Sequence, residues 1–302
     1  MMGTLTQRYI QVERIAVLTD LGPDCERMLR FAARLGRWYG SKLLVAHASP
    51  ELHGHKTPEM QQSPISRSIP EVYAKDSLEE MAARIGLQDL EPTILVRHGS
   101  VKELLDEMND YHPSLLILAT HGREGVSKWL RGSMTEEIFR GVPWPVLVLG
   151  PHLKIDDYDR QFQLRSVLYT TDLSMISMPA LQYAAGIAHD HEAKLVALHV
   201  ETDNRQDFTF ERIIALQRLE DWATARIDGM AEALAGVTYE IEFGEACANI
   251  LQAIAEHQPD LLVMGARGLG AIAAPASHFL GGTAYEVVCN APCPVLIVPQ
   301  PK

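Results

Sequence analysis

The sequence predicts an α/β protein made of two tandem, open, doubly wound parallel five-stranded sheets with helices on both faces. Three observations carry that prediction. A set of blocks occurs twice along the chain in the same order, the blocks are short and almost continuously apolar, and the segments between them have helical periodicity. Strands with no polar face belong to a parallel sheet covered on both sides, because neither face meets water. The 302 residues suffice for two domains with separate cores, expected at 1–150 and 151–302.

The first block is Ile15 to Leu21 (IAVLTDL), which returns as Val167 to Leu173 (VLYTTDL); both end in Thr-Asp-Leu. A helix should follow each, since Cys25, Met28, Leu29, Ala32 and Leu35, and then Leu181, Ala184, Ala185 and Ala188, fall on one face at helical spacing. The second strands are Lys42 to Ala48 (KLLVAHA) and Lys194 to Val200 (KLVALHV). Glu51 to Lys75, rich in Pro, Ser and His, reads as a long loop inside the first half. The third strands end at His98-Gly99 and Phe243-Gly244. Ser100 with Glu103 then forms a capping-box pattern ahead of Leu104, Leu105 and Met108, and Cys247, Ile250, Leu251 and Ile254 make the matching helical stripe. Fourth strands lie in Ser114 to Gly122 (SLLILATHG) and Asp260 to Gly268 (DLLVMGARG), and last strands in Trp144 to Leu149 (WPVLVL) and Cys293 to Val298 (CPVLIV). Gly150 to Arg165, polar and charged, reads as the linker.

Composition narrows the function classes. A formal net charge of -12 opposes nonspecific attraction to nucleic acid, and no apolar run is long enough to cross a bilayer, so the expected location is the cytoplasm. Cys25, Cys247, Cys289 and Cys293 are too few and too scattered for a disulfide framework, and structural roles are expected for all of them. His53 and His55 have no matching second pair of ligands, which favours a solvated loop over a metal site.

In an open α/β sheet, ligands bind beyond the carboxyl ends of the strands, where strand order reverses. After the fourth strand of the first half the chain reads Ala119-Thr120-His121-Gly122, nine residues, then Gly132-Ser133 and a helix. Glycines let backbone approach phosphate oxygens, and a helix start offers unpaired N–H groups and a positive dipole end. Ser133 with Glu136 also makes an ordinary helix cap, so this loop has two readings.

With the Asp that closes the first strand, G-x2-G-x9-G-(S/T) after the fourth strand resembles the ATP signature of universal stress proteins. The Thr-Asp ends of strand one, the Leu-His-Val type ends of strand two and the Pro-Val-Leu-Val type last strands extend the resemblance over almost the whole chain, twice. The family implies an adenine-nucleotide alpha hydrolase-like fold that binds ATP or a related adenine nucleotide, with Mg²⁺. It places Asp20 near the adenosine end, backbone at Ala48 on the adenine, and Ala119, Gly122, Gly132 and Ser133 around ribose and phosphates. The second half carries the matching positions Asp172, Val200, Gly265, Gly268, Gly281, Gly282 and Thr283. The family also implies an internal pseudo-dimer through the last strands, and leaves a further homodimer open.

Both halves depart from the signature. Ala119 stands where the first glycine is expected, a change that ordinary backbone angles would tolerate. In the second half twelve residues precede Gly281, and alignment on the helix start sets Gly282-Thr283 against Gly132-Ser133, with Glu286 matching Glu136. The first half is therefore the expected principal site. His47 and His199 recur at one strand end and are expected to be hydrogen-bonded structural residues, while Arg123 and Arg267 are candidates for phosphate contact. The chain lacks a GxGxxG turn after strand one and a Walker loop, and its third strands do not end in the Asp of a phosphorelay receiver. No catalytic group is assignable, so the expected function is nucleotide-dependent stress response or signalling, with slow ATP hydrolysis and an empty scaffold as the alternatives.

Overall fold

The computed structural model describes residues 8–49, 64–119, 138, 142–153, 163–202, 208–225, 231–266 and 282–300. They divide into two compact units. One is Val12–Phe162; the other is Gln163–Lys302 together with the N-terminal segment through Gln11.

In the first unit the strands are β1 (Arg14–Thr19), β2 (Lys42–Ser49), β3 (Thr93–His98), β4 (Leu115–Ala119) and β5 (Val146–Leu149). Their order is β3-β2-β1-β4-β5, every pair parallel. The helices are α1 (Cys25–Tyr39), α2 (Pro64–Ile85) and α3 (Val101–Met108). The predicted stripe of α1 is buried, and the helix stops at Gly40, whose φ of 72° suits a residue without a Cβ. The Ser100 hydroxyl accepts from Glu103 N and the Glu103 carboxylate from Ser100 N, completing the capping box of α3.

The second unit repeats this plan with β6 (Ser166–Thr171), β7 (Lys194–Glu201), β8 (Thr238–Phe243), β9 (Leu261–Gly265) and β10 (Val295–Val298) in the order β8-β7-β6-β9-β10, again all parallel. Its helices are α4 (Met178–Asp190), α5 (Phe208–Thr224), α6 (Ala231–Leu234), α7 (Ala246–His257) and α8 (Gly282–Asn290). Register is duplicated with the architecture: Thr19 lies opposite His47, and Thr171 opposite His199. At the start of α7 the Glu245 carboxylate accepts from Cys247 N and Ala248 N, a cap that also places negative charge at the positive end of the helix dipole.

Two features depart from the sequence reading. The long loop expected over Glu51 to Lys75 is helical from Pro64 onward. Ala74, Leu78 and Ala82 bury a stripe one turn apart, and Pro64 opens α2 where a missing N–H costs nothing, so the polar composition ahead of the stripe concealed the helix start. The second feature is the N-terminal segment, which docks on α4. Tyr9 N and Ile10 N donate to the two Asp190 carboxylate oxygens at 2.8 and 3.0 Å, and the Tyr9 ring stands edge-on to His189 at 4.6 Å. Gly186 makes room for this strap: a Cβ there would lie 2.7 Å from Ile10 Cδ1 and 3.2 Å from Tyr9 Cβ.

Candidate functional site

The point of reversal in the first sheet lies between β1 and β4, and in the second between β6 and β9. Asp20 and Asp172 immediately follow β1 and β6, Ala48 and Val200 lie in the last residues of β2 and β7, and Ala119 and Gly265 end β4 and β9. Each of these predicted positions is therefore at the carboxyl end of its strand, with the Asp positions and the fourth-strand ends flanking the reversal and Ala48 and Val200 one strand away. Gly122, Gly132, Ser133, Gly268 and Gly281, with Arg123 and Arg267, lie outside the described residues, as do His53 and His55.

The Thr-Asp-Leu ends form a compact hook. Thr19 Oγ1 accepts from Leu21 N at 3.0 Å, and Asp20 Oδ1 accepts from Gly22 N at 2.8 Å. In the second copy Thr171 Oγ1 accepts from Leu173 N at 3.0 Å, and Asp172 Oδ1 accepts from Ser174 N at 3.1 Å and from the Ser174 hydroxyl at 2.6 Å. Each hook holds its leucine at φ 60°, in the left-handed region. That conformation costs a leucine about 1 to 2 kcal/mol, and the paired side-chain bonds offset it. The repeat was visible in the sequence; the role of the threonine hydroxyl was not, because an apolar run ending in Thr reads simply as strand.

His47 and His199 stabilise the same place from the second strand. Each is buried, and each Nδ1 lies 2.8 Å from the carbonyl oxygen of Thr19 or Thr171. A carbonyl only accepts, so Nδ1 carries the proton and the ring acts as a fixed donor. This is the structural role expected of both histidines. Two residues on, the copies diverge: Ser49 is buried, while Glu201 lies 3.4 Å from His199 Nε2 and pairs with Arg218 of α5. From the third strand, His98 N donates to Glu71 of α2 at 2.6 Å.

Glycine is not required where the fourth strand ends. Neither Ala119 nor Gly265 has a positive φ, so the Ala119 methyl adds no backbone strain. Gly282 opens α8, Thr283 follows in its first turn, and a Cβ on Gly282 would meet nothing within 4 Å. Gly282-Thr283 thus lie at a helix start, while Gly132-Ser133, with which they align, lie outside the described residues.

Burial pushes the thiols of Cys247 and Cys293 up to about 11 and about 12, and raises that of Cys25 as well, so none is primed as a nucleophile. Among the described residues no cluster of three His, Cys, Asp or Glu side chains is disposed to hold a metal, and no helix is long and apolar enough to cross a membrane. A surface hollow lined by Lys75, Glu79, Ala83, Gln88, Pro92 and Ile94 lies by the amino end of β3, away from these strand ends.

Comparison with known proteins agrees with this geometry. The universal stress protein family matches residues 11–150 and again 163–299. A universal stress protein of Thermus aquaticus is 36% identical over 140 residues, 44% of this chain and 98% of that protein. One from Methanocaldococcus jannaschii is 30% identical over 146 residues, 46% of this chain and 84% of that protein. A universal stress protein from Archaeoglobus fulgidus shares the fold over 97% of this chain and 98% of its own, with a TM-score of 0.69 at 19% identity. A protein of unknown function from Pseudomonas aeruginosa does so over 96% and 93%, with a TM-score of 0.62 at 15% identity. With two matches that together span nearly its whole length, the chain belongs to the universal stress protein family as a tandem member.

Proposed function

We propose that the protein binds ATP or a related adenine nucleotide and acts as a stress-response or signalling module whose occupancy alters conformation or partner choice. One observation carries this reading: in each copy an Asp-bearing hook and the end of the fourth strand flank the reversal of the sheet, with the second-strand backbone at Ala48 or Val200 one strand away. That is where α/β sheets receive ligands. Asp20 and Asp172 would orient the adenosine end, and Gly122, Gly132 and Ser133, or Gly268, Gly281, Gly282 and Thr283, the phosphates. Mg²⁺ would arrive with the phosphates.

The first copy is the principal site in this reading, because its loop keeps the nine-residue spacing and the second loop is longer. Loss of one charge-assisted hydrogen bond to phosphate costs about 1.5 to 3 kcal/mol, roughly ten- to more than hundredfold in affinity, which separates the two sites. Turnover, if measured, should fall far below the roughly 1 to 1000 per second of dedicated enzymes, since no base is assignable. The halves associate through β5 and β10: both are wholly apolar strands, and a bare apolar edge is an aggregation liability.

The test is calorimetric titration of ATP with Mg²⁺ into wild type, Gly132→Glu and Gly282→Glu. The first substitution should remove the tight binding event and the second should leave it largely intact. Absence of any binding heat to wild type, with no adenine nucleotide released on acid extraction, refutes the function. Greater damage from Gly282→Glu reverses the ranking of the copies.

A further inference from the structure

We infer that the turn His189-Asp190-His191 is an acid-operated latch: protonation of His191 releases the N-terminal strap from α4 while the sheet of the second unit stays folded. This goes beyond nucleotide binding and does not depend on it.

The latch lies where three consecutive residues hold two separate segments of the chain. Asp190 accepts from Tyr9 N and Ile10 N, and the His189 ring meets the Tyr9 ring edge-on. His191 is 1% exposed, and its Nδ1 accepts from Leu164 N at 3.4 Å, just ahead of β6. A backbone N–H only donates, so Nδ1 holds a lone pair and the proton of the neutral ring sits on Nε2. A second proton turns this acceptor into a donor that faces another donor. The Leu164 bond is then lost and a buried charge is left in its place.

The charges around the ring direct that event at the strap. Burial is the largest influence against the charged form of His191, Asp190 favours that form, and Arg8 of the strap opposes it. Arg165, which follows Leu164, is exposed. Arg8 is joined directly to Tyr9, so its repulsion from an imidazolium acts on the docked residues. The attraction of Asp190 to the same new charge competes with the two strap amides. Both consequences oppose docking. Once the strap has left, an imidazolium at the carboxyl end of α4 is favoured by the helix dipole, so the released state keeps its proton.

The seat itself is small, a notch at Gly186 that a Cβ would close against Ile10 and Tyr9, which suits local opening. The sheet does not share this dependence: Leu168 of β6 and Val263 of β9 are fully buried, and their strands are held by a parallel ladder. Burial lowers the pKa of docked His191 from 6.5 to about 4. The released state therefore binds the proton first. Docking is complete above about pH 6.5 and is lost as pH falls toward 4, by about tenfold at pH 5.5 and about 75-fold at pH 4.5.

Amide hydrogen exchange on the full chain, expressed as protection relative to the unstructured rate at each pH, tests this. From pH 7 to pH 4.5 the protection of Tyr9 and Ile10 should fall by about 75-fold, while Leu168 and Val263 stay protected. His191→Gln keeps an acceptor for Leu164 N without titrating and should abolish the fall, whereas His189→Gln should leave most of it. Arg8→Gln removes one cause of the lowered pKa and should shrink the fall. Unchanged protection at Tyr9 and Ile10 overturns the inference. So does a fall that His191→Gln retains, that His189→Gln abolishes, that Arg8→Gln fails to shrink, or that Leu168 and Val263 share in full.

Discussion

At the end of β1 the side chain of Thr19 is hydrogen-bonded to the thiol of Cys25; at the end of β6 the corresponding Thr171 is hydrogen-bonded to Tyr169 and Ser177. In the second copy these residues form a closed network. The Tyr169 hydroxyl donates to Ser177 O at 3.1 Å, the Thr171 and Ser177 hydroxyls are 2.9 Å apart, and Ser177 Oγ donates to Ser174 O at 2.9 Å. Burial holds the Tyr169 phenol well above its usual range, so it remains a neutral donor. The difference extends to the next helix, where Gly186, His189, Asp190 and His191 of the second copy occupy the positions of Arg34, Arg37, Trp38 and Tyr39 in the first. Duplication preserved the backbone hook and its histidine, while the layer beneath diverged from a single thiol–hydroxyl contact in one copy to a hydroxyl network with a borrowed N-terminal strap in the other.

The sharpest way to break this comparison is Asp190→Ala, which removes both acceptors of the strap. Two charge-assisted bonds are lost, so the second unit should be destabilised by about 3 to 5 kcal/mol, read as a lower denaturation midpoint for that unit alone. Trp38→Ala in the first unit should leave the strap undisturbed, and hydrogen exchange at Tyr9 and Ile10 would tell the two apart.

Acid should also separate the copies. His191 is buried, and desolvation lowers its pKa from 6.5 to about 4. The unfolded chain therefore binds the proton first, so the contribution is complete above about pH 6.5 and is lost as pH falls toward 4, up to about 3 kcal/mol. Urea midpoints at pH 7 and pH 4.5 should diverge for the second unit, and His191→Tyr, the residue of the first copy, should reduce the divergence. An equal acid response in that variant would remove His191 as its cause.

Smaller effects probe the network. Tyr169→Phe leaves the Ser177 carbonyl without its donor and should cost about 1 to 2 kcal/mol. Gly186→Ala should change sign with context. With the strap in place the added methyl meets Ile10 and Tyr9 and destabilises by about 1 kcal/mol; in a chain lacking residues 1–11 the better helix propensity of alanine should stabilise by about as much. Thermal melts of the four proteins would show the reversal, and the same sign in both backgrounds would mean that the strap does not press on Gly186.

Much of the architecture was legible because it rests on local signals. The apolar runs gave the strands and their parallel sheet, the Ser100–Glu103 pattern gave a real capping box, and the Thr-Asp-Leu repeat gave the ends of both first strands. What stayed hidden depends on distant partners or unusual backbone. A leucine at φ 60° has no sequence signature when Asn or Gly would be the usual choice, and only the Thr19 and Thr171 hydroxyl bonds explain it. The strap joins residues 181 positions apart, with no periodicity to announce it. The start of α2 was masked by a Pro- and Ser-rich composition that suits both a loop and a first helical turn.

The strap also sets a clock on biosynthesis. The acceptor of Tyr9 and Ile10, Asp190, is translated about 180 residues after them. At roughly 5 to 20 residues per second, the strap waits about 9 to 36 seconds for its anchor. During that interval the ribosome completes every strand of the first unit, so the strap takes its final position only after all five of those strands have been made.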